Sequence, residues 1–566
     1  MKVLKKAGKI IGWAVLTLII VILGFSVYIW KVSVVPPPKV SDTSALTLQR
    51  RVLDDSASVI GSNWIRKNEY GLYEMSVSGK PFERGVIAGK LSKLLLAEQE
   101  KAFTDQIRIM IPSSGYLKFL KYIIGFMNKD LPDYVLPEYK KEIYGISLSA
   151  EDSFRWIGSN YDRILNYHAA HDIGHALQNL MLVGCTSFGA WGIKGDGGAM
   201  IIGRNFDFWV GDEFAKNKIV EFVRPSSGHN FAFVTWGGFI GVVSGMNDQG
   251  LTVTINAAKS SIPWGGAATP VSLVAREILQ YARDIKEAVA IAHQRKMFVS
   301  ESFLIGSAKD HKAVIIEKTP DTLAVYDPGN DHIVCTNHYQ SRLFQTQKLN
   351  EEQMANSASV YRYKRVQQLM RESYPLTPSK AAAILRDHRG LNNTSIGLGN
   401  EKAVNQFIAH HSVIFMPDSL RMWVSSNPWQ MGEYVCYDLK KIFAMKSLSA
   451  DRPVADTALN IPPDPLLRSP VFQKYLDYRR ERSVVEAAQS IVDIAAFIRD
   501  NPDYYGAYEA AGDYWLKRNQ PERAATCYQK ALTLVIDTNW EREKIEKKLK
   551  TAEQNAGKRP HKNGVP

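Results

Sequence analysis

The chain has 566 residues, of which 45% are hydrophobic, 22% charged and 10% aromatic, and it carries a net charge of +13. This length excludes a single small core and, with domains of roughly 100–250 residues, allows one large body and an accessory module. The composition excludes intrinsic disorder. The charge does not argue for nucleic acid, because Lys2, Lys5, Lys6, Lys9 and Lys31 flank one apolar run and no basic block elsewhere is interleaved with aromatics.

Residues 10–30 hold no charged side chain, and a bilayer is spanned by about 20 apolar residues. The lysines before the run place the N-terminus in the cytoplasm and the body outside, as a single-pass protein of the plasma (inner) membrane. No small-x-small site follows the run, which favours a retained anchor over 1–31 against the competing reading, a removed signal peptide. Pro36, Pro37 and Pro38 make a stiff spacer within a linker over 32–45. From 46 to 184 the pattern reads as a mainly helical prosegment, apolar-periodic over 91–103 and 116–126, with a short strand at 71–77.

From 185 to 445 the texture changes to strands bounded by Gly, Asn and Asp, at 199–202, 219–223, 231–236, 251–256, 303–306, 313–317 and 333–336. Several are continuous apolar runs, as in sheets buried on both faces. Helices are expected at 270–281, 285–294 and 358–372. Two strand groups separated by a helical block predict an α/β domain with helices outside two packed sheets.

A linker is expected over 446–480, then a helical module over 481–555 and a tail over 556–566. Tyr508, Gly512, Trp515, Ala524, Tyr528 and Ala531 fall where a tetratricopeptide helix pair sets its packing residues, with Pro502 just ahead. Ser490, Ile494 and Phe497 suit half of a preceding unit. A unit and a half is too short for a free solenoid, so the expectation is a tetratricopeptide-like cap or a module docking a protein partner, with ordinary helical packing as the alternative.

Cys185, Cys335, Cys436 and Cys527 form no CxxC or zinc pattern. A cysteine in an apolar stretch is most often a small core residue, but Cys185 has company. Gly184-Cys185-Thr186-Ser187 leads into an apolar strand and then Arg204-Asn205-Phe206-Asp207. Gly79-Lys80-Pro81-Phe82-Glu83-Arg84-Gly85 precedes it, and Asn247-Asp248-Gln249-Gly250-Leu251, Asn256, Thr336-Asn337-His338 and the pair Arg362 and Arg365 follow in order.

This ordered set resembles the N-terminal-nucleophile (Ntn) hydrolases related to choloylglycine hydrolase and penicillin V acylase. It is closest in pattern to the autoproteolytic group that includes acyl-CoA:6-aminopenicillanic acid acyltransferase. The resemblance implies a four-layer αββα sandwich, cleavage between Gly184 and Cys185, and an acyl-enzyme on Cys185. The freed α-amine would act as the base, its ordinary pKa of about 7.7–8.0 suiting it to neutral pH. Asp207 would orient that amine and Arg204 favour the thiolate, unless the two form a structural ion pair. Asn337 and the Asn256 region would supply oxyanion donors, and Arg362 the basic side chain.

No cofactor or metal is required. The implied substrate is a small N-acylated molecule, hydrolysed at its amide; an acyltransferase of the same family and an inactive membrane scaffold are the alternatives. Trp191, Phe206, Phe208, Trp209 and Trp236 suggest an apolar acyl surface. His168, His171 and His175 lie on one expected helix, which makes them a weak metal candidate with a structural role preferred.

Overall fold

The computed structural model describes residues 2–169, 172, 184–259, 267–448 and 453–557. Its strands are β1 (Arg51–Val52), β2 (Ala57–Ile60), β3 (Asn63–Lys67), β4 (Tyr73–Gly79), β5 (Thr186–Ala190), β6 (Ile201–Phe206), β7 (Ile219–Pro225), β8 (Phe231–Thr235) and β9 (Ser244–Asn247). They continue as β10 (Leu251–Ala257), β11 (Glu301–Ser307), β12 (Lys312–Lys318), β13 (Leu323–Tyr326), β14 (His332–Cys335), β15 (His411–Met416), β16 (Arg421–Ser425) and β17 (Tyr434–Asp438). An eleven-stranded sheet runs β1-β2-β3-β4-β7-β8-β9-β10-β11-β12-β13, and a six-stranded sheet runs β14-β5-β6-β15-β16-β17. The β4–β7 pair is parallel and the other pairs are antiparallel.

Side chains alternate across a strand, and that alternation explains the continuous apolar runs. On β7, Val220 and Phe222 face the second sheet while Ile219 and Val223 face helices. On β11, Leu304 points inward between the sheets and Phe303 and Ile305 outward. Three apolar layers result. Phe222, Val234 and Ile315 meet Ile202, Val413 and Val424 between the sheets. The helices Val271–Tyr281, Ile285–Gln294, Pro81–Leu91 and Pro137–Ser147 cover the outer face of the larger sheet. Ser359–Ser373 and Pro378–Leu385 cover the smaller one through Val366, Met370 and Leu385. This is the four-layer αββα sandwich, and each large aliphatic side chain it buries contributes about 1.5–3 kcal/mol.

Two stretches depart from the sequence reading. The segment read as mainly helical before residue 184 supplies β1–β3 besides the expected strand, β4, because the short β2 and β3 carry no alternating pattern. The stretch expected as linker over 446–480 contains most of the helix Pro470–Ala487, whose first turn is set by Pro470 and by Ser469 accepting from the Phe472 N–H at 3.2 Å.

The helices Pro470–Ala487, Ile494–Asp500, Tyr505–Lys517, Pro521–Leu532 and Asn539–Gly557 form the C-terminal helical region. They share one core with the sandwich, in which Phe472, Tyr475, Tyr504 and Tyr505 pack with Leu398, Phe407, Trp429 and Met431. At the other end, the helix Lys2–Val32 contains the apolar, solvent-exposed stretch Lys9–Ile29, long enough to cross a bilayer. It meets the body where the Tyr28 and Phe126 rings pack edge to face with their centres 6.5 Å apart.

Candidate active site

Cys185 immediately precedes β5 in the smaller sheet, with β6 beside it. The β5–β6 register pairs Thr186 with Asn205 and Ser187 with Arg204. The ladder continues one step past the strand, where the Gly184 N–H donates to the Asp207 carbonyl at 2.9 Å. Strand pairing alone thus brings Gly184, Cys185, Arg204 and Asp207 together.

Arg204 is fully buried. Its guanidinium donates to Cys185 Sγ at 3.4 Å, to Ser244 Oγ at 2.7 Å and to the Ile255 carbonyl, and it lies 4.5 Å over the Phe206 ring. Asp207 Oδ2 accepts from Gln406 Nε2 at 3.3 Å, while Oδ1 has no partner among the described residues. Burial pushes the Asp207 carboxyl up to about 7 against the opposing pull of Arg362 and Arg204.

Burial also raises the Cys185 thiol to about 12; Arg204 opposes this, Asp207 and Glu301 add to it, and Arg362 opposes it again. In the uncut chain Arg204 pulls the sulfur toward the thiolate form. Desolvation of the charged form outweighs the guanidinium, and the sulfur is a protonated thiol.

Asn337 follows β14. Its main-chain N–H donates to Ser359 Oγ at 2.8 Å, its Nδ2 to the Ala257 carbonyl at 2.9 Å, and its Oδ1 accepts from Arg362 at 2.5 Å. A primary amide has two N–H groups, and one bond from Asn337 Nδ2, to Ala257, is seen among the described residues. Arg362, on Ser359–Ser373, spends its other terminal nitrogen on the Glu401 carbonyl at 2.9 Å. Its charge acts on both Asp207 and Cys185.

Asn256 sits differently. Its Nδ2 donates to the Cys335 carbonyl at 3.2 Å and its Oδ1 accepts from Ser187 at 2.7 Å, making it a tie between the two sheets rather than a contact of Cys185. Arg365 is held by Asp387 at 2.8 Å and by Asn393, away from the cluster.

Three features escaped the sequence reading. Gln406 Nε2 donates to the Gly184 carbonyl at 3.0 Å as well as to Asp207. It belongs to no motif, and no spacing points to it. Ser244, beside Arg204, also meets His411 Nε2 at 2.9 Å, and His411 Nδ1 lies 2.9 Å from His410 Nδ1. Burial holds both imidazoles far below their usual pKa, so each is neutral. Glu301, on β11, is fully buried with both carboxyl oxygens unpartnered among the described residues, and burial raises it well above the carboxylate range. A glutamate heading the apolar run Phe303–Leu304–Ile305 was the available signal.

The aromatic group is partly assembled. Phe208, Phe214, Trp236 and Phe239 line a narrow cavity of ≈ 40 Å³ together with Phe103 and Tyr167 from the N-terminal helices. Trp191 packs between the sheets instead. His168 stacks on Phe239, donates from Nδ1 to the Ile164 carbonyl and accepts from the Ile240 N–H, so both ring nitrogens are used within the protein. His171 and His175 lie outside the described residues.

Residues 193–427 match the family described as acyl-coenzyme A:6-aminopenicillanic acid acyl-transferase. The match begins just after Cys185 and takes in Arg204, Asp207, Asn256, Asn337, Arg362 and Gln406. An uncharacterized protein of Archaeoglobus fulgidus is 23% identical over 404 residues, 63% of this chain and 65% of that protein. Protein dcd1B of Dictyostelium discoideum is 23% identical over 267 residues, 44% of this chain and 51% of that protein. The chain thus spans less than two thirds of the length of either relative.

Among solved structures, the Caenorhabditis elegans ortholog of N-acylethanolamine-hydrolyzing acid amidase is 20% identical, covering 41% of this chain and 93% of that one, with a TM-score of 0.29. A variant of conjugated bile acid hydrolase from Clostridium perfringens is 11% identical, covering 45% and 93%, with a TM-score of 0.31.

Proposed function

We propose that this chain, which carries a domain of the acyl-coenzyme A:6-aminopenicillanic acid acyl-transferase family on an Ntn-hydrolase fold, is a self-cleaving cysteine hydrolase of N-acylated small molecules. The observation that carries the proposal is the setting of the Gly184–Cys185 peptide. Its flanking glycine is held at the N–H by the Asp207 carbonyl and at the carbonyl by Gln406, with Arg204 on the Cys185 sulfur and one Asp207 carboxyl oxygen without a partner among the described residues.

A buried carboxylate oxygen without a donor costs free energy. An α-ammonium released at Cys185 supplies the missing donor and charge. Once cut, Cys185 contributes both nucleophile and base, since its own amine takes the thiol proton and later gives it to the leaving group. The sulfur bonds to the substrate carbonyl carbon, the second N–H of Asn337 stabilises the oxyanion, the amine product departs, and water resolves the thioester. Arg362 holds Asn337 in place through Oδ1. Phe208, next to Asp207 in the chain, and Trp236 offer apolar surface for an acyl group, which supports a hydrophobic acyl chain in the substrate.

Acyl transfer uses the same thioester with an amine in place of water, and the family's acyltransferase member keeps it as the second reading. In the proposed topology the helix Lys2–Val32 remains as an anchor and the sandwich lies outside the cytoplasm. Denaturing electrophoresis with N-terminal sequencing tests the core of the proposal. Two fragments are expected, the second beginning at Cys185, and none from Cys185→Ala. A wild-type chain that stays whole overturns it.

A further inference from the structure

Hydrolysis of a substrate and cleavage of the chain itself place their oxyanions at different points, and the structure provides separate donors. Asn337 contacts Ala257 and Arg362 and does not reach Gly184. Gln406 is the residue on the Gly184 carbonyl among the described residues, at 3.0 Å, and its second N–H faces Asp207 Oδ2 at 3.3 Å. Both neighbours are acceptors, so the amide end of Gln406, not its carbonyl, must face them. The fit is close, because a Cβ at position 184 would stand 3.0 Å from Gln406 Nε2.

The loop that carries Gln406 is bound along its length by the C-terminal helical region. The Leu398 N–H and carbonyl both bond to the Asn501 side chain, at 3.0 and 2.8 Å. Asn400 donates to the Val535 carbonyl at 2.9 Å, and the Glu401 N–H donates to Asp537 at 3.0 Å. Tyr505 holds the other oxygen of Asp537 at 2.9 Å. Next to Gln406, Phe407 adopts φ 56°, a left-handed conformation that costs energy for a side chain of this size. It is kept there by buried ring contacts with Tyr475 at 5.0 Å and Phe472 at 6.1 Å.

Resting on the self-cleavage reading above, we propose that Gln406 is the oxyanion donor for the chain's own cleavage and that the C-terminal helices hold it there by clamping the segment 395–407. Cys185 Sγ bonds to the Gly184 carbonyl carbon, and the developing oxyanion is held by Gln406 Nε2. The carbon–nitrogen bond breaks as the thiol proton ends on the Cys185 nitrogen, leaving a thioester. Water then attacks the thioester carbon, the carbon–sulfur bond breaks, and one water proton returns to sulfur. The products are a Gly184 carboxyl group and a free Cys185 amine and thiol.

The test follows cleavage of the full-length chain during cell-free synthesis into detergent, with electrophoresis at timed intervals. Gln406→Met keeps the volume and removes the donor; its cleavage is expected to slow by about 100- to 1000-fold, the effect of losing one oxyanion donor. Hydroxylamine, which resolves thioesters, is expected not to restore the rate, since the block precedes the thioester. Gln406→Glu supplies an O–H donor only when protonated, so its cleavage is expected to fall as pH rises, opposite to the wild type, which is expected to cut faster at higher pH as the Cys185 thiol ionises. Asn501→Ala, which loosens the clamp, is expected to slow cleavage less than Gln406→Met.

Cleavage of Gln406→Met within about threefold of wild type, against the 100-fold expected from donor loss, overturns the inference and leaves the self-cleavage reading standing. If Gln406→Met fails to fold by circular dichroism, Gln406→Glu decides, and a wild-type pH trend in it overturns the inference. A wild-type chain that never cuts removes the reading and the inference together.

Discussion

Replacing Asp207 by Asn in an uncut background should stabilise the protein while removing a group the mechanism needs. Take Cys185→Ala, which cannot cut. Burial moves the Asp207 carboxyl from its ordinary 3.8 to about 7. At 1.36 kcal/mol per pKa unit, ionising it inside this fold costs up to about 4 kcal/mol. Between those two values the folded state holds a proton that the unfolded chain has lost, so stability falls as pH rises through this window and levels off above about 7.

The substituted amide cannot ionise, and its carbonyl can still accept from Gln406. Cys185→Ala/Asp207→Asn should therefore match Cys185→Ala near pH 3.5, below both pKa values, and exceed it at pH 8. Domains of 150–250 residues gain roughly 2–4 °C in Tm per kcal/mol, and larger bodies less, so the difference at pH 8 should be several degrees. The assay is a thermal scan of the detergent-solubilised pair at the two pH values. Equal Tm values at pH 8, or a gain of the same size at low pH, refute the reasoning. In cut wild-type protein the new ammonium pairs with Asp207, and this loss of stability with rising pH should disappear.

Arg362→Ala removes the donors on Asn337 Oδ1 and the Glu401 carbonyl. Scaled to the cut fraction, kcat on a chromogenic N-acyl amide should drop about 100-fold, the lower end for loss of one oriented oxyanion donor. The acid limb of the rate profile should move upward, because Arg362 is the strongest group lowering Asp207; an unchanged kcat and profile counts against the assigned role. Gly184→Val forces a Cβ to 3.0 Å from Gln406 Nε2, and electrophoresis should show mostly uncut chain. Phe222→Ala opens a hole between the sheets and should cost about 3–5 kcal/mol in denaturant unfolding.

Much of this architecture was legible because it follows from local periodicity and from motifs that keep their order. The apolar runs at 219–223 and 303–306 announced strands buried on both faces, and β7 and β11 are such strands. The pairing of Cys185 with Arg204 and Asp207 follows once β5 and β6 lie side by side. Other contacts had no local signature. Gln406 reaches Gly184 across 222 positions of sequence, and neither residue has a neighbour that hints at the other. Asn256 was expected at the site, but its orientation depends on where Ser187 and Cys335 fall in the facing sheet, and that has no local signature. Desolvation of Cys185 was hidden as well, since a thiol's pKa depends on the surrounding volume and not on its sequence neighbours.

The clamp on the segment 395–407 also bears on timing. Its anchoring residues Val535 and Asp537 leave the ribosome well after Cys185. At roughly 5–20 residues per second the delay is about 20–70 s. On the self-cleavage reading, the peptide bond to be cut is synthesised long before the groups that steady its carbonyl partner, and a chain interrupted before residue 535 is expected to cut slowly. The C-terminal helices would then act as a completion check, withholding a reactive N-terminal cysteine until the rest of the polypeptide has arrived and packed.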